Sequence, residues 1–196
     1  MYRLINFILS IAFLPFILCA DSILDKQCGN AVGCFRLPAN CKAKDCDVLI
    51  TYSYVKKHNI FEITISTNHK WAGFALGNEL YEEEMIGIKG EACFEKNGIV
   101  HLVSLSATKN GSPDFKATPK EVVKLSAIKT KKGGIFCKYR RNAKSTNKFL
   151  TSLESKIYAF YAFGDKIQNN GFPAYHGYGS AGHTIKATNL KKVMLH

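Results

Sequence analysis

From Asp47 onward, apolar and polar residues alternate in short runs divided by turn residues, and no stretch keeps a helical period. The pattern predicts an all-β fold. Residues 48–55 form one expected strand and residues 60–67 a second. In the second, Phe61, Ile63 and Ile65 face one side and Glu62, Thr64 and Ser66 the other, as a strand with one buried face requires. Asn68-His69-Lys70 reads as a turn. Further strands are expected at 71–76, 99–106, 122–128, 134–140, 157–163 and 184–190, separated by segments rich in Gly, Asn, Lys and Pro. That many short strands suit a two-sheet sandwich. The run 156–163 is apolar on both faces, so it is expected to be a central strand covered on each side.

The head of the chain has a different pattern. Met1 to Ala20 carries one cation, Arg3, then an apolar stretch from Leu4 to Cys19, then Ala20 before the polar Asp21-Ser22. This is the layout of a secretory signal peptide with cleavage after Ala20. The apolar run is short for a membrane span and Pro15 interrupts it, and no later stretch is long enough to cross a bilayer. The organisation is therefore read as a leader (1–20), a Cys-rich segment packed on the domain (21–46) and one β-sandwich domain (47–196).

Export changes the meaning of the cysteines. Cys19 leaves with the leader, and Cys28, Cys34, Cys41, Cys46, Cys93 and Cys137 remain, an even set bound for an oxidising compartment. They are expected to form disulfides. Four of them crowd between positions 28 and 46 beside Gly29, Gly33 and Pro38, where cross-links are expected to replace packing. Cys93 and Cys137 each sit in an apolar strand-like run, which favours their pairing and leaves the other four to pair among themselves. Zinc is disfavoured because no CxxC pair and no His stands among them. Asn110-Gly111-Ser112 is a glycosylation sequon in a turn-like segment, followed by Pro113.

The whole sequence of 196 residues carries 27 Lys and Arg against 15 Asp and Glu, a net charge of +12, to which the leader adds only Arg3. Partners are expected to be anionic. The cations are mostly lysines, as in Lys129-Thr130-Lys131-Lys132, Lys138-Tyr139-Arg140-Arg141 and Lys191-Lys192. No nucleic-acid reader accompanies them, so an acidic redox partner, an anionic glycan or a protein is the better match.

A search for catalytic patterns finds no GxSxG, no phosphate-cradling glycine loop, no HExxH and no His pair at metal spacing, so no enzyme activity is expected. Three histidines lie in contexts of interest: His101 opening an apolar strand, His176 in an aromatic and Gly-rich loop, and His183 seven residues later. The loop 169–179 holds Phe172, Tyr175 and Tyr178, aromatics that could stack on a macrocycle or a sugar ring alike. Met85 stands in Tyr81-Glu82-Glu83-Glu84-Met85-Ile86-Gly87, an odd context for core filler. A thioether opposite an imidazole is a ligand pair that holds haem iron and raises its reduction potential.

Gly33-Cys34-Phe35-Arg36-Leu37-Pro38, Cys41, Cys46, the strand 48–54 and Trp71-Ala72-Gly73-Phe74-Ala75-Leu76-Gly77 together resemble a DOMON domain. The resemblance continues through Met85, Gly87 and Cys93, through Phe136-Cys137-Lys138-Tyr139-Arg140, and through Tyr161-Ala162-Phe163-Gly164 and His176-Gly177. It is greatest to the DOMON parts of ferric-chelate-reductase-like proteins, in a free-standing secreted form without the membrane cytochrome or copper monooxygenase modules of other members. It implies an immunoglobulin-like two-sheet β-sandwich that binds haem b for extracellular electron transfer or haem binding. It implies Met85 and His176 as axial iron ligands, with Trp71 and Phe74 near the pocket wall. The alternative expectation is a haem-free extracellular module that recognises a carbohydrate or a protein through the aromatic loop and the basic face.

Overall fold

The computed structural model describes residues 26–80, 85–108, 113–174, 176–177, 180–184 and 186–192. The expected leader 1–20 and the sequon residue Asn110 lie outside them, as do Glu82 to Glu84, Tyr175 and Tyr178. The described strands are β1 (Gly33–Leu37), β2 (Val48–Val55), β3 (Ile60–Thr67), β4 (Trp71–Gly77), β5 (Ile88–Lys96), β6 (Ile99–Ala107), β7 (Asp114–Ala117), β8 (Val122–Lys129), β9 (Ile135–Asn142), β10 (Tyr158–Gly164) and β11 (Ala181–His183). They form two antiparallel sheets, one of five strands in the order β1-β2-β3-β9-β8 and one of six in the order β11-β10-β4-β5-β6-β7. The fold is thus an all-β, two-sheet sandwich.

Two kinds of strand build it. β3 has one buried face, with Phe61, Ile63 and Ile65 inside and its alternate residues only half-buried, the simple period of two. β4 is buried along its whole length because it lies in the middle of the six-stranded sheet with cover on both faces. β10 lies next to β4, in register from Tyr158 opposite Gly77 to Gly164 opposite Trp71, and its two faces enter two different apolar clusters. That is the doubly covered strand expected from its composition.

The first cluster is the core between the sheets, where Ile50, Phe61, Ile63, Phe74 and Ile135 are all but fully buried. Each of these side chains removed from water contributes about 1.5–3 kcal/mol, so this layer is the main stabilising element. The second cluster lies on the outer face of the six-stranded sheet and includes Trp71, Ala75, Ala92, Phe94, Leu105 and Phe160. A sandwich that solvates this face would present polar residues here; this one covers it with apolar groups.

Three disulfides join Cys28 to Cys34, Cys41 to Cys46 and Cys93 to Cys137. The last crosses the sandwich from β5 to β9, while the first two close short loops on either side of β1. The Cys-rich segment is more than a cross-linked appendage: β1 pairs with β2 over five residues, and Phe35 enters the core beside Phe74 and Tyr161. The turn between β5 and β6 is Asn97-Gly98 with both φ positive, at 53° and 81°, which matches the twist of an antiparallel hairpin.

The last expected strand takes another form. In place of a strand over 184–190, the ladder on β10 runs only from Ala181 to His183 and then gives way to an isolated bridge between Ile157 and Thr188. The cause is Thr184. Its hydroxyl accepts the Ala159 N–H at 3.1 Å, while its own N–H donates to the Ala159 carbonyl. A side chain occupies the place of a backbone acceptor, and the regular ladder stops there.

Candidate functional site

The outer face of the six-stranded sheet is assembled by register. Trp71 lies opposite Phe94 on β5 and opposite Gly164 on β10, and Phe94 in turn lies opposite His101 on β6. Because residues directly opposite in an antiparallel pair share a face, these four positions form one end of it. At the other end, Ile88 lies opposite Ala107, and the position of a Cβ on Gly77 is 3.3 Å from Ile88 Cγ2. Met85 enters there, half-buried, three residues before Ile88, and packs on the outer cluster with Leu80 and Tyr158. Small residues floor the middle: Gly73, Ala75 and Ala92, where a Cβ on Gly73 would touch Leu105 Cδ2 at 3.4 Å and Ala92 Cβ at 3.5 Å.

A loop folds over the Trp71 end. Ile167 bridges to Pro173, Gln168 accepts the Gly171 N–H, and Gly171 adopts φ 83°. Asn170 Oδ1 accepts the Phe172 N–H at 3.0 Å, so the Asn-Gly turn aims Phe172 back at the sheet. Its ring stacks on Phe115 at 5.2 Å with an interplanar angle of 5° and meets Phe94 at 6.0 Å. His101 stacks on Phe94 at 5.3 Å.

The chain leaves this loop through His176. Its Nδ1 lies 2.7 Å from the Gly177 carbonyl, which can only accept, so Nδ1 carries a hydrogen. His183, on β11, is held the same way, with Nδ1 3.0 Å from the Thr184 carbonyl, and stands opposite Phe160 with ring centroids 5.7 Å apart. Each ring thus has its Nδ1 fixed by a backbone oxygen. His183 lies on the outer face by its register with Phe160. Among the described residues no cluster of three or more His, Cys, Asp or Glu is placed to hold a metal ion.

Trp71 and Met85 thus share the outer cluster, but Phe74 does not. It faces the other way, 1% exposed in the core between the sheets, with its ring against Tyr52 and Phe35. Three residues separate Trp71 from Phe74, and an odd spacing on a strand places two side chains on opposite faces. Trp71 and Phe74, expected as neighbours near one pocket wall, are placed on opposite faces of β4. The aromatic set that does accompany Trp71, formed by Phe94, Phe115 and Phe172, comes from three separate elements. Its sequence sign is the period-two run Ile88, Gly90, Ala92, Phe94.

A second buried constellation lies between the sheets. Glu91 and Arg141 are fully buried, with Nη1 3.3 Å from Oε1, and Tyr139 donates to Glu91 Oε2 at 3.2 Å. Arg141 Nη2 also donates to the Thr151 carbonyl at 2.6 Å. Burial pushes the Glu91 carboxyl up, and Arg141 and the Tyr139 hydroxyl oppose that rise. Burial likewise drives the Tyr139 hydroxyl well above its usual range, with the Glu91 charge adding to it.

The described residues thus form a disulfide-linked sandwich whose apolar outer sheet face is covered at one end by an aromatic loop. The family model for the DOMON domain matches residues 44–164, and the chain belongs to that family. Among solved structures, the chain is similar to the cytochrome domain of Myriococcum thermophilum cellobiose dehydrogenase. The two share 14% identity and a TM-score of 0.53 over 84% of this chain and 91% of that one. It is also similar to the cytochrome b domain of pyranose dehydrogenase from Coprinopsis cinerea, at 14% identity and a TM-score of 0.54 over 77% of this chain and 80% of that one. At these identities the likeness is one of fold. No curated protein matches the sequence. Among the described residues no helix is long and apolar enough to cross a membrane.

Proposed function

We propose that this DOMON domain is a secreted haem b module, in which Met85 and His176 are the axial ligands of the iron and which serves extracellular electron transfer or haem binding. The observation that carries the reading is the outer sheet face. It is an apolar face with a floor of Gly73, Ala75 and Ala92, and it brings Trp71 and Met85 into one buried cluster. Such a face suits a flat, largely apolar macrocycle. The donor set also suits the group: a thioether is a soft ligand, an imidazole is a common iron ligand, and the backbone carbonyl of Gly177 holds the His176 ring by its Nδ1. The neighbours in fold include two cytochrome domains, which supports the same choice of ligand.

Haem, when bound, would supply an iron that takes up and releases one electron. Met85 and His176 would hold that iron, Phe94, Phe115 and Phe172 would keep water from the Trp71 end, and the lysine-rich surface would attract an acidic redox partner. Secretion is supported by three disulfides, which persist in an oxidising compartment, and is in keeping with the leader expected at 1–20.

The test is the visible spectrum of the purified protein reconstituted with haem b. Sharp absorption bands of a six-coordinate, low-spin iron are expected on reduction, and Met85→Ala and His176→Ala should each weaken them while His183→Ala leaves them in place. Loss of the bands in His183→Ala instead would move the ligand to β11. A protein that takes up no haem but binds a glycan would replace this reading with the carbohydrate-recognition one.

A further inference from the structure

Trp71 is the one tryptophan of the chain, and it is 5% exposed on the outer sheet face. Its indole Nε1–H is buried without a hydrogen-bond partner. A buried donor left unpaired is costly and uncommon in a folded protein, and where it faces a binding surface it calls for an acceptor from outside the chain. The indole lies over Gly164: a Cβ there would stand 2.9 Å from Nε1 and 3.1 Å from Cε2, so only glycine leaves the ring its place. The site is built for the tryptophan, and the tryptophan offers an unused N–H.

We propose that the Trp71 indole N–H donates a hydrogen bond to a carboxylate of the bound group, so that the carboxylate edge of the haem lies at the Trp71 end of the sheet, away from the Met85 end. The inference rests on the haem reading given above. It follows from what haem b has to offer. Its ring nitrogens are taken by iron and its methyl and vinyl groups accept nothing, so the two propionate carboxylates are its only strong acceptors. The charge pattern of the face points the same way. Lys96 is two residues beyond Phe94 on β5, on the same face, and a Cβ on Gly171 of the covering loop would collide with its Nζ. A cation therefore stands at the Trp71 end. Carboxylates are favoured beside the indole and the ammonium.

The experiment titrates the full chain with haem b and, separately, with its dimethyl ester, in which both propionates are blocked. Soret absorbance follows binding in every protein, and in wild type the quenching of the single tryptophan follows it independently. Wild type is expected to bind haem b about tenfold or more tightly than the ester, and Trp71→Phe, which keeps the ring and loses the donor, should bind haem b about tenfold more weakly than wild type. The same substitution should change binding of the ester by less than about threefold, because a neutral carbonyl is the poorer acceptor. Equal affinity of wild type for the two haems, or unchanged haem binding in Trp71→Phe, would overturn the orientation while the iron spectrum kept the haem reading intact. Absence of haem binding in wild type would remove both. Should Trp71→Phe fail to fold, the comparison of the two haems on wild type decides alone.

Discussion

Arg141 on β9 and Glu91 on β5 meet across the sandwich with Nη1 3.3 Å from Oε1, both fully buried, on the same two strands that the Cys93–Cys137 bridge joins. An ion pair taken wholly out of water is worth little against a well-packed apolar pair, but either member alone is a large penalty. Glu91→Met and Arg141→Met are therefore each expected to lower stability by about 3–5 kcal/mol. The double variant Glu91→Met with Arg141→Met should lose far less than the sum. Denaturant unfolding of the four proteins measures this, and additive losses would show that the two side chains do not act as a pair.

Beside that pair, the Cys93–Cys137 bridge closes a segment of 44 residues, whereas Cys28–Cys34 and Cys41–Cys46 close 6 and 5. Chain-entropy arguments assign about 4 kcal/mol to the long link and about 2 kcal/mol to each short one. Replacing Cys93 and Cys137 together by Ala should lower the thermal midpoint more than replacing either short pair. The ranking fails if the β1 cross-links prove the more costly to remove.

How far this arrangement is legible in the sequence depends on how each strand is covered. β2 and β3 are written plainly, since one face of β3 repeats Phe61, Ile63 and Ile65 and the sequence boundaries 48–55 and 60–67 match the structure. β5 is not, because Glu91 sits among residues that face inward, and a carboxylate in a strand reads as a solvent position until Arg141 is known to face it. β7, four residues long and mostly exposed, has too little pattern to declare itself. β4 is a strand by any reading, but seven buried residues in a row hide which side is which. Only the odd spacing of Trp71 and Phe74 separates the outer face from the core between the sheets. The covering loop is legible as an Asn-Asn-Gly turn, while its target on Phe115 and Phe94 is a tertiary fact that no local pattern holds.

On the outer side of the other sheet, Glu62 receives Arg140 at 2.8 Å and Lys138 at 3.1 Å. Partial burial would raise its carboxyl, yet the hydrogen bonds and charges of Lys138 and Arg140 outweigh burial and hold it below the usual range. A carboxyl whose folded value is depressed contributes stability that is present above its unfolded value, near pH 4.3, and is lost as pH falls through the folded value. Wild type is thus expected to exceed Glu62→Gln by about 0.5–1 kcal/mol at neutral pH in low salt, with the gap closing in acid and shrinking at high salt. A gap that persists below pH 3 would point to packing instead of charge.

Gly90 marks a place where two strands allow no side chain. It lies opposite Ala75 on β4 and Leu105 on β6, and a Cβ built on it would collide with the Phe74 carbonyl oxygen and the Ala75 Cα. The obstacles are backbone atoms of a central strand, which cannot swing aside as a flexible side chain would. Gly90→Ala must push β4 and β5 apart, breaking ladder bonds that both apolar clusters rest on, and is expected to cost about 1–3 kcal/mol or more. Gly98→Ala is the matched control. Its φ of 81° strains an alanine, but nothing lies within 4 Å of the new methyl, so the cost should be nearer 1 kcal/mol and confined to the hairpin turn. Unfolding midpoints rank the two, and amide exchange across β4 and β5 tells them apart further: protection should fall at Phe74 to Leu76 in Gly90→Ala and stay intact in Gly98→Ala. If both variants unfolded alike with β4 protection unchanged, the close approach of the two strands would not be what fixes glycine at position 90.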